Sequence, residues 1–341
     1  MSGGGQNGSI RHLPLPITWL APELVELELP EERASSCASC PMAGAPFDPA
    51  VRCCTYHPSL PGYLVGRALR RADTGSERVL ARLEDPDGRT GWGVRAPRAW
   101  QREYRRDREV AFGRRVSWRC PYWVEGPLSC SIWRDRNAVC RTWHCKHDDG
   151  LPGHRLWVVV RGLMHAVEDT LARLCEARLG APDPDAPVEV WAGYYLACAE
   201  LVDRLEAEDL LALEDPEILS LRARVREVHG ALHGEVPDVV APQVAEVREH
   251  PDGVELVGYS PWNPVVLPRS VFVLLAELDG ERPWREALER AVAADPSVQA
   301  GWVELLWRHG VVRRKSDPDA TWGFEGDDLD PDTLDRVLSS G

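Results

Sequence analysis

The sequence has no long apolar run. Its most apolar segment, LWVVV at 156–160, is far too short to span a membrane, which takes about 20 such residues. The amino terminus has no basic region followed by an apolar core, so it shows no secretory signal. We therefore expect a cytoplasmic protein without a membrane partner, in a compartment where disulfides are disfavoured.

Positive charge is also in deficit. The 341 residues include 40 Lys and Arg against 54 Asp and Glu, which gives a formal net charge of -14. Phosphate binding needs a basic surface, so we expect no nucleic-acid partner. The apolar content of 44% and the charged content of 28% are those of a globular protein, and the length allows two or three domains.

Several catalytic signatures are missing as well. The chain has no GxxxxGK(S/T) loop, no GxGxxG after a strand, no HExxH and no GxSxG. The sequence therefore assigns no catalytic residue and no nucleotide cofactor, and it leaves open whether the chain is an enzyme.

What the sequence does contain is a dense group of cysteines. Eight of its ten cysteines lie between positions 37 and 145. Thiolates are soft, strong ligands for zinc and for iron–sulfur clusters, and closely spaced thiols bind a metal with little loop ordering. We therefore predict a metal site, with an iron–sulfur cluster favoured over zinc. The predicted ligands are Cys37, Cys40, Cys53, Cys54, Cys120, Cys130, Cys140 and Cys145.

Other interpretations explain this group less well. A disulfide framework needs an oxidising compartment, for which the sequence has no signal. Disulfide-linked helices would suit the nine-residue spacing that begins at Cys120, but Pro121 and Gly126 interrupt such helices. A buried structural role does suit Cys175 and Cys198, because both lie on apolar helical stretches.

The segment CPYWVEGPLSCSIWRDRNAVCR resembles the downstream half of the YkgJ-like cysteine-cluster proteins, a family described as zinc- or iron-chelating. The resemblance covers about a third of the chain and implies metal binding. The matching residues are Cys120-Pro121-Tyr122, Cys130-Ser131-Ile132-Trp133, Arg136 and Cys140-Arg141, which follow a Cys-x-x-Cys and a Cys-Cys pair.

Two departures from the family pattern bear on the ligands. Twelve residues, rather than two, separate Cys40 from Cys53, so the resemblance does not tie the first two cysteines to the same ion as the others. Asn137 stands where the family has proline. Eight thiols also exceed the four that one zinc or one cubane cluster needs, so either two sites exist or some thiols are not ligands.

Tryptophan and histidine accompany the cysteines. Trp123, Trp133 and Trp143 each follow a cysteine by three places. Indoles at these places could form a dry wall around a metal and donate hydrogen bonds to sulfur, or equally form the core of a small domain. His57 and His144 are candidate additional ligands because each lies within a few places of a cysteine.

Composition and periodicity predict an α+β protein of several parts. Apolar residues at helical spacing predict helices at 157–180, 188–213 and 214–234. The predicted parts are a flexible lead-in (1–35), an irregular cysteine-cluster metal domain (36–150), a helical bundle (155–235), a winged-helix-like module (236–315) and an acidic tail (316–341).

The predicted module has a strand, helix–turn–helix, helix and strand order. Its segment VFVLLAELDGERPWREALERAV resembles the winged-helix-like domains of the PqqD type, which implies that it holds a peptide or protein partner by strand addition. Two hypotheses follow. One is an enzyme that uses the cluster on a peptide or small molecule presented by this module. The other is a non-enzymatic, zinc-stabilised scaffold or a peptide-binding adaptor.

Overall fold

The computed structural model describes residues 15–27, 29, 47–126, 129–142, 149–213, 215–232, 234–261 and 263–316. These residues form a mixed helical and β structure, which agrees with the predicted α+β class. The helices are α1 (Leu15–Leu20), α2 (Glu23–Glu26), α3 (Gly62–Arg70), α4 (Thr74–Leu83), α5 (Arg98–Ala111), α6 (Ala138–Thr142), α7 (Gly150–Leu179), α8 (Val188–Asp203), α9 (Ala207–Leu211), α10 (Pro216–Gly230), α11 (Val271–Glu277), α12 (Trp284–Ala294) and α13 (Gly301–Arg308).

The strands are short and all their pairings are antiparallel. In the described residues β1 pairs with β2, β3 with β4, β5 with β9, and β6, β7 and β8 form a three-stranded sheet in that order. The strands are β1 (Leu60–Pro61), β2 (Gly93–Val94), β3 (Trp123–Val124), β4 (Ser129–Cys130), β5 (Ala241–Pro242), β6 (Glu246–His250), β7 (Gly253–Val257), β8 (Val265–Leu267) and β9 (Val312–Arg313).

The described residues divide into two compact units. Those within Met1–Cys145 and Trp157–His229 form the first unit, and those within Lys146–Leu156 and Gly230–Gly341 form the second. The cysteine-rich segment and the helices that follow it therefore share one unit, whereas the sequence suggested separate domains at 36–150 and 155–235.

The reason for this shared unit is the packing of α3 against α8. A Cβ atom added at Gly66 would lie 1.9 Å from the carbonyl oxygen of Tyr195, so only a glycine lets the two backbones approach this closely. At the end of α8, Asp203 forms ion pairs with Arg67 and Arg70 of α3. Because α3 belongs to the cysteine-rich segment and α8 to the helices that follow it, this packing joins the two parts of the chain.

The cysteine-rich segment is more regular than predicted. The helices α3, α4 and α5 all lie within the region expected to be irregular, and the longest of the three has 14 residues. Asp73 caps α4 by accepting hydrogen bonds from the backbone N–H groups of Gly75 and Ser76. Many Arg and Pro residues lower the apolar content of this segment, so its helices were not recognised although their apolar residues recur at helical spacing.

Residues 15–27 of the predicted lead-in have regular structure. The helices α1 and α2 lie there, and Ile17 and Leu20 are buried. Glu23 is 1% exposed and pairs with Arg222, whose Nε lies 3.1 Å from a carboxylate oxygen. A buried carboxylate held by arginine on α10 fixes this segment to the first unit.

The helices predicted at 157–213 are present with one interruption. Where one helix was predicted over 188–213, α8 ends at Asp203 and α9 follows. Glu206 and Asp209 form a capping box that starts the new helix, because each side chain accepts a backbone N–H of the other's residue. Two acidic residues three places apart in an apolar stretch thus mark a helix start.

The second unit has the element order predicted for 236–315. The strands β5 to β8 precede α11, a turn at Gly280 with φ 74° leads to α12, and α13 is followed by β9. Its core includes Val254, Leu274, Leu306 and Val312. The assignment of this order to a winged-helix-like fold stays a prediction.

Candidate metal centre

Cys53 and Cys54 lie at the end of a tight turn that Asp48 organises. The carbonyl oxygen of Asp48 accepts the backbone N–H of Arg52 at 2.7 Å, and its carboxylate accepts that of Ala50 at 2.7 Å. Arg52 has a left-handed backbone with φ 53°, which is uncommon for a residue with a side chain. Such a conformation costs free energy and persists where the surrounding structure requires it, so the turn fixes the position of the cysteine pair.

Backbone hydrogen bonds join this turn to the next two cysteines. The N–H of Cys120 donates to the carbonyl oxygen of Cys54 at 2.8 Å, and the N–H of Trp123 donates to that of Cys120 at 3.0 Å. Trp123 is paired directly with Cys130 across β3 and β4. Directly paired residues project to the same face of a sheet, so the indole of Trp123 and the thiol of Cys130 lie side by side.

The short helix α6 carries Cys140, and Asn137 caps it. The side-chain oxygen of Asn137 accepts the N–H of Cys140 at 3.0 Å, and its side-chain nitrogen donates to the carbonyl oxygen of Ser59 at 2.9 Å. Arg136 donates to the carbonyl oxygen of Cys140 at 3.0 Å. A proline at 137 could form neither side-chain bond, so this departure from the family pattern has a structural role.

Four thiols lie within electrostatic range of one another. Burial raises the pKa of Cys120 to about 12, and the neighbouring Cys130 and Cys53 also raise it. Burial likewise raises the pKa of Cys140, with further contributions from Cys120, Cys130 and Cys53. The pKa of Cys130 is raised by burial and partly restored by Arg136. A metal ion would therefore have to displace protons from these thiols in order to bind.

This group is not a complete coordination shell in the described residues. No three His, Cys, Asp or Glu side chains in that part of the chain are placed to hold one metal ion. The structure brings Cys53, Cys120, Cys130 and Cys140 together at longer range, and Cys54 is linked to them through its carbonyl oxygen. The sequence-predicted residues that lie outside the described part are Cys37, Cys40, Trp143, His144 and Cys145.

Two of the three tryptophans predicted to surround the metal lie in the described residues, and their contacts differ. Trp123 is 2% exposed, and its indole N–H has no hydrogen-bond partner among the described residues, so it donates to none of their sulfur atoms. The ring of Trp133 packs under the guanidinium of Arg136, whose central carbon lies 3.3 Å from the ring centroid. The buried indole of Trp123 excludes water beside Cys130, and Arg136 adds positive charge next to Cys140.

His57 is buried in an aromatic stack. Its ring lies 4.6 Å from that of Trp100 at an interplanar angle of 18°. Burial, together with the charge of Arg82, lowers its pKa to about 4, so the imidazole is neutral at pH 7. A neutral imidazole can bind a metal, and the Nδ1 atom of His57 has no hydrogen-bond partner within the described ranges. His57 belongs to no metal-holding group there.

A buried arginine immediately precedes the cysteine pair. Arg52 is 7% exposed, and its Nε and Nη1 atoms have no hydrogen-bond partner in the part of the chain that is described. Because arginine stays charged at any ordinary pH, a buried guanidinium needs a negative group nearby. Thiolates formed at Cys53 and Cys54 on metal binding would supply negative charge next to it.

One residue that sequence reasoning missed holds this region together. Arg82 of α4 donates to the carbonyl oxygens of Pro58 at 3.0 Å and Arg95 at 2.8 Å, and to the hydroxyl of Tyr122 at 2.9 Å. Arg78, one turn earlier, donates to the carbonyl oxygen of Pro121 at 2.8 Å. The spacing of two arginines by four residues is the one signal that could have placed both on a single helix face.

The comparisons with known proteins add no assignment. No family model matches the chain, and neither a curated protein nor a solved structure matches it significantly. The resemblances of two segments to known families therefore stay predictions. Among the described helices, none is both long and apolar enough to cross a membrane.

Proposed function

We propose that this chain is a metalloprotein whose cysteines bind an iron–sulfur cluster or zinc. The observation that carries the proposal is the convergence of four half-buried thiols from separate segments, namely the turn after Asp48, the start and end of the β3–β4 hairpin, and α6. The proposed ligands come from Cys37, Cys40, Cys53, Cys54, Cys120, Cys130, Cys140 and Cys145.

The surroundings of the four thiols fit a negatively charged metal–thiolate group. Arg52 is buried beside the cysteine pair, and Arg136 lies against Trp133 and the carbonyl oxygen of Cys140. These cations would offset the charge of the thiolates once protons are lost. The buried indole N–H of Trp123, which has no partner among the described residues, also suits a sulfur acceptor.

We favour an iron–sulfur cluster over zinc. A structural zinc site needs four cysteine or histidine ligands and no particular wall, whereas the potential of an iron–sulfur cluster depends on solvent exclusion and hydrogen bonds to sulfur. Trp123 supplies a buried surface and an available donor beside Cys130. When bound, such a cluster would supply electron transfer or a Lewis-acidic iron, and the role of these residues is to exclude water and orient its ligands.

A second proposed function is peptide binding by residues 236–315. Within the described residues β6 pairs on one side with β7 and has no strand on its other side. Val247 on this edge is 50% exposed. An open edge with an exposed apolar side chain can accept a further strand. The proposed enzyme modifies a peptide or small molecule held by this module, and the alternative is a zinc-stabilised scaffold or peptide-binding adaptor.

The ligand assignment is tested by removing one thiol. Replacing Cys130 with Ser keeps the shape of the side chain but removes the soft ligand, so the variant is expected to lose most of the bound metal. The matched control is Cys198→Ser, a buried cysteine on α8, which is expected to keep it. Metal per chain is measured by elemental analysis on protein purified without oxygen.

Full metal occupancy in the Cys130→Ser protein would overturn its assignment as a ligand. Equal loss in both variants would mean that the effect comes from damage to the fold. Circular dichroism of both variants distinguishes that outcome from specific loss of a ligand.

A further inference from the structure

Two cysteines outside the cluster lie against each other where three helices meet. Cys175 on α7 and Cys198 on α8 are both 0% exposed. The thiol of Cys175 donates to the carbonyl oxygen of Cys198, with 3.7 Å between sulfur and oxygen. On the other side, a Cβ atom added at Gly62 of α3 would lie 3.3 Å from the sulfur of Cys198. Both thiols therefore lie at a buried contact between helices and have no exposed surface.

The two thiols are chemically unequal. The neighbouring Cys175 thiol lowers the pKa of Cys198, whereas Cys198 and burial raise the pKa of Cys175. The thiolate is the nucleophile in cysteine oxidation, and a neighbouring thiol is what resolves the oxidised product. Cys198 is thus suited to react first and Cys175 to react second.

We propose that Cys175 and Cys198 are a redox-active dithiol that a peroxide converts to a disulfide between α7 and α8. The Cys198 thiolate attacks one oxygen of hydrogen peroxide, the O–O bond breaks, and the released hydroxide takes a proton to become water. Cys198 is then a sulfenic acid. The sulfur of Cys175 attacks it, the S–S bond forms and the S–O bond breaks. The hydroxide leaves as water with the proton from Cys175, and the two sulfurs together have given two electrons to the peroxide.

Burial selects the oxidant. Because no surface of either residue is exposed, an oxidant reaches them only when the surrounding helices open locally, and such an opening admits small, uncharged hydrogen peroxide more readily than a bulky or charged disulfide. The proposal is independent of the metal centre, because neither cysteine is among its proposed ligands. Its outcome can therefore be read whether or not the protein contains metal.

The test is peptide mapping of the full-length protein after treatment with hydrogen peroxide. Remaining thiols are blocked with an alkylating agent in denaturant, and the protein is digested with trypsin. Cleavage after Arg173, Arg178 and Arg204 separates the two cysteines into the peptides 174–178 and 179–204. We expect these peptides to be joined by a disulfide in the treated protein and to separate on reduction.

Serine variants identify the order of the two steps. Cys198→Ser is expected to lose the linked peptide altogether. Cys175→Ser is expected to lose it too and to keep Cys198 as a sulfenic acid that dimedone captures. If either variant fails to fold, the wild-type protein alone still decides. Full alkylation of both cysteines after peroxide, or linkage of either one to a different cysteine, would overturn the proposal.

Discussion

The pKa of Glu168 shows how strongly burial can shift the titration of a single residue in this protein. Glu168 is 1% exposed on α7, and burial raises its pKa to about 8. The backbone N–H of Ala138 and the guanidinium of Arg141 favour the charged form, but they do not offset the loss of water. Within the described residues neither carboxylate oxygen has a hydrogen bond of normal geometry. The acid is therefore mostly protonated at pH 7.

This burial makes the stability of the protein depend on pH. In the folded protein the pKa of Glu168 lies above its ordinary value of 4.5. Its contribution to the free energy of unfolding is therefore fully present below about pH 4.5 and is lost as the pH rises through 8. Glu168→Gln stays neutral, so we expect it to match wild type at pH 5 and to be more stable at pH 9 by on the order of 3–5 kcal/mol.

Urea denaturation of both proteins at pH 5, 7 and 9 measures this difference. The exposed Glu176, on the same helix, provides the control, since Glu176→Gln changes the net charge by the same amount. If the difference in stability between Glu168→Gln and wild type were the same at every pH, the pKa of Glu168 would be ordinary. Glu168 would then be ionised in the folded protein at pH 7.

For single residues, the sequence predicted which side chains could bind a metal better than it predicted which residues surround them. The spacing of Cys120, Cys130 and Cys140 indicated a shared site, and the structure brings their thiols within electrostatic range. The cap that Asn137 provides depends on Ser59, a contact between distant segments that no local pattern reveals. Glu168 follows Met164 by four places on an apolar helix face, and that spacing was the available signal of its burial.

At the scale of elements, the contact between α3 and α8 positions the first unit. Gly66 is expected to tolerate no side chain, because a Cβ atom there would lie 1.9 Å from the carbonyl oxygen of Tyr195 and 2.7 Å from its carbonyl carbon. Both are backbone atoms and cannot move aside without shifting α8. We expect Gly66→Ala to destabilise the protein by about 2–4 kcal/mol, measured by urea denaturation.

Gly193 provides the matched control for this prediction. It lies on α8 with no atom within 4 Å of an added Cβ atom. Gly193→Ala is expected to stabilise the helix by about 0.5–1 kcal/mol, because alanine loses less backbone entropy than glycine. A Gly66→Ala protein as stable as Gly193→Ala would show that the two helices do not approach as described.

Elements were predictable where they were long and apolar. The long periodic stretch from 157 to 180 became α7, and the element order of 236–315 was recognised from its turns and periodicity. The helices α3, α4 and α5 were not predicted as helices, because their many arginines lower the apolar content of these segments, although the apolar residues recur at helical spacing. Their stability comes from packing and caps rather than from the pattern itself.

At the scale of the whole molecule, the cysteines occupy a unit that also includes helices far along the chain. Residues before Cys145 and after Trp157 share one compact unit, and α3 packs against α8 within it. Composition alone suggested a boundary near 150–155, because it changes there. Composition reports local sequence, whereas a unit is defined by contacts between distant segments, so this part of the organisation was not predictable.

The account rests on the claim that the cysteine group binds metal. Its most direct test is to measure iron, zinc and acid-labile sulfide per chain, together with an absorption spectrum, on protein purified without oxygen. We predict iron and sulfide in comparable amounts and a visible charge-transfer band from thiolate to iron. Zinc alone, without colour, would favour the scaffold alternative. Folded protein that contains neither metal would contradict the central claim.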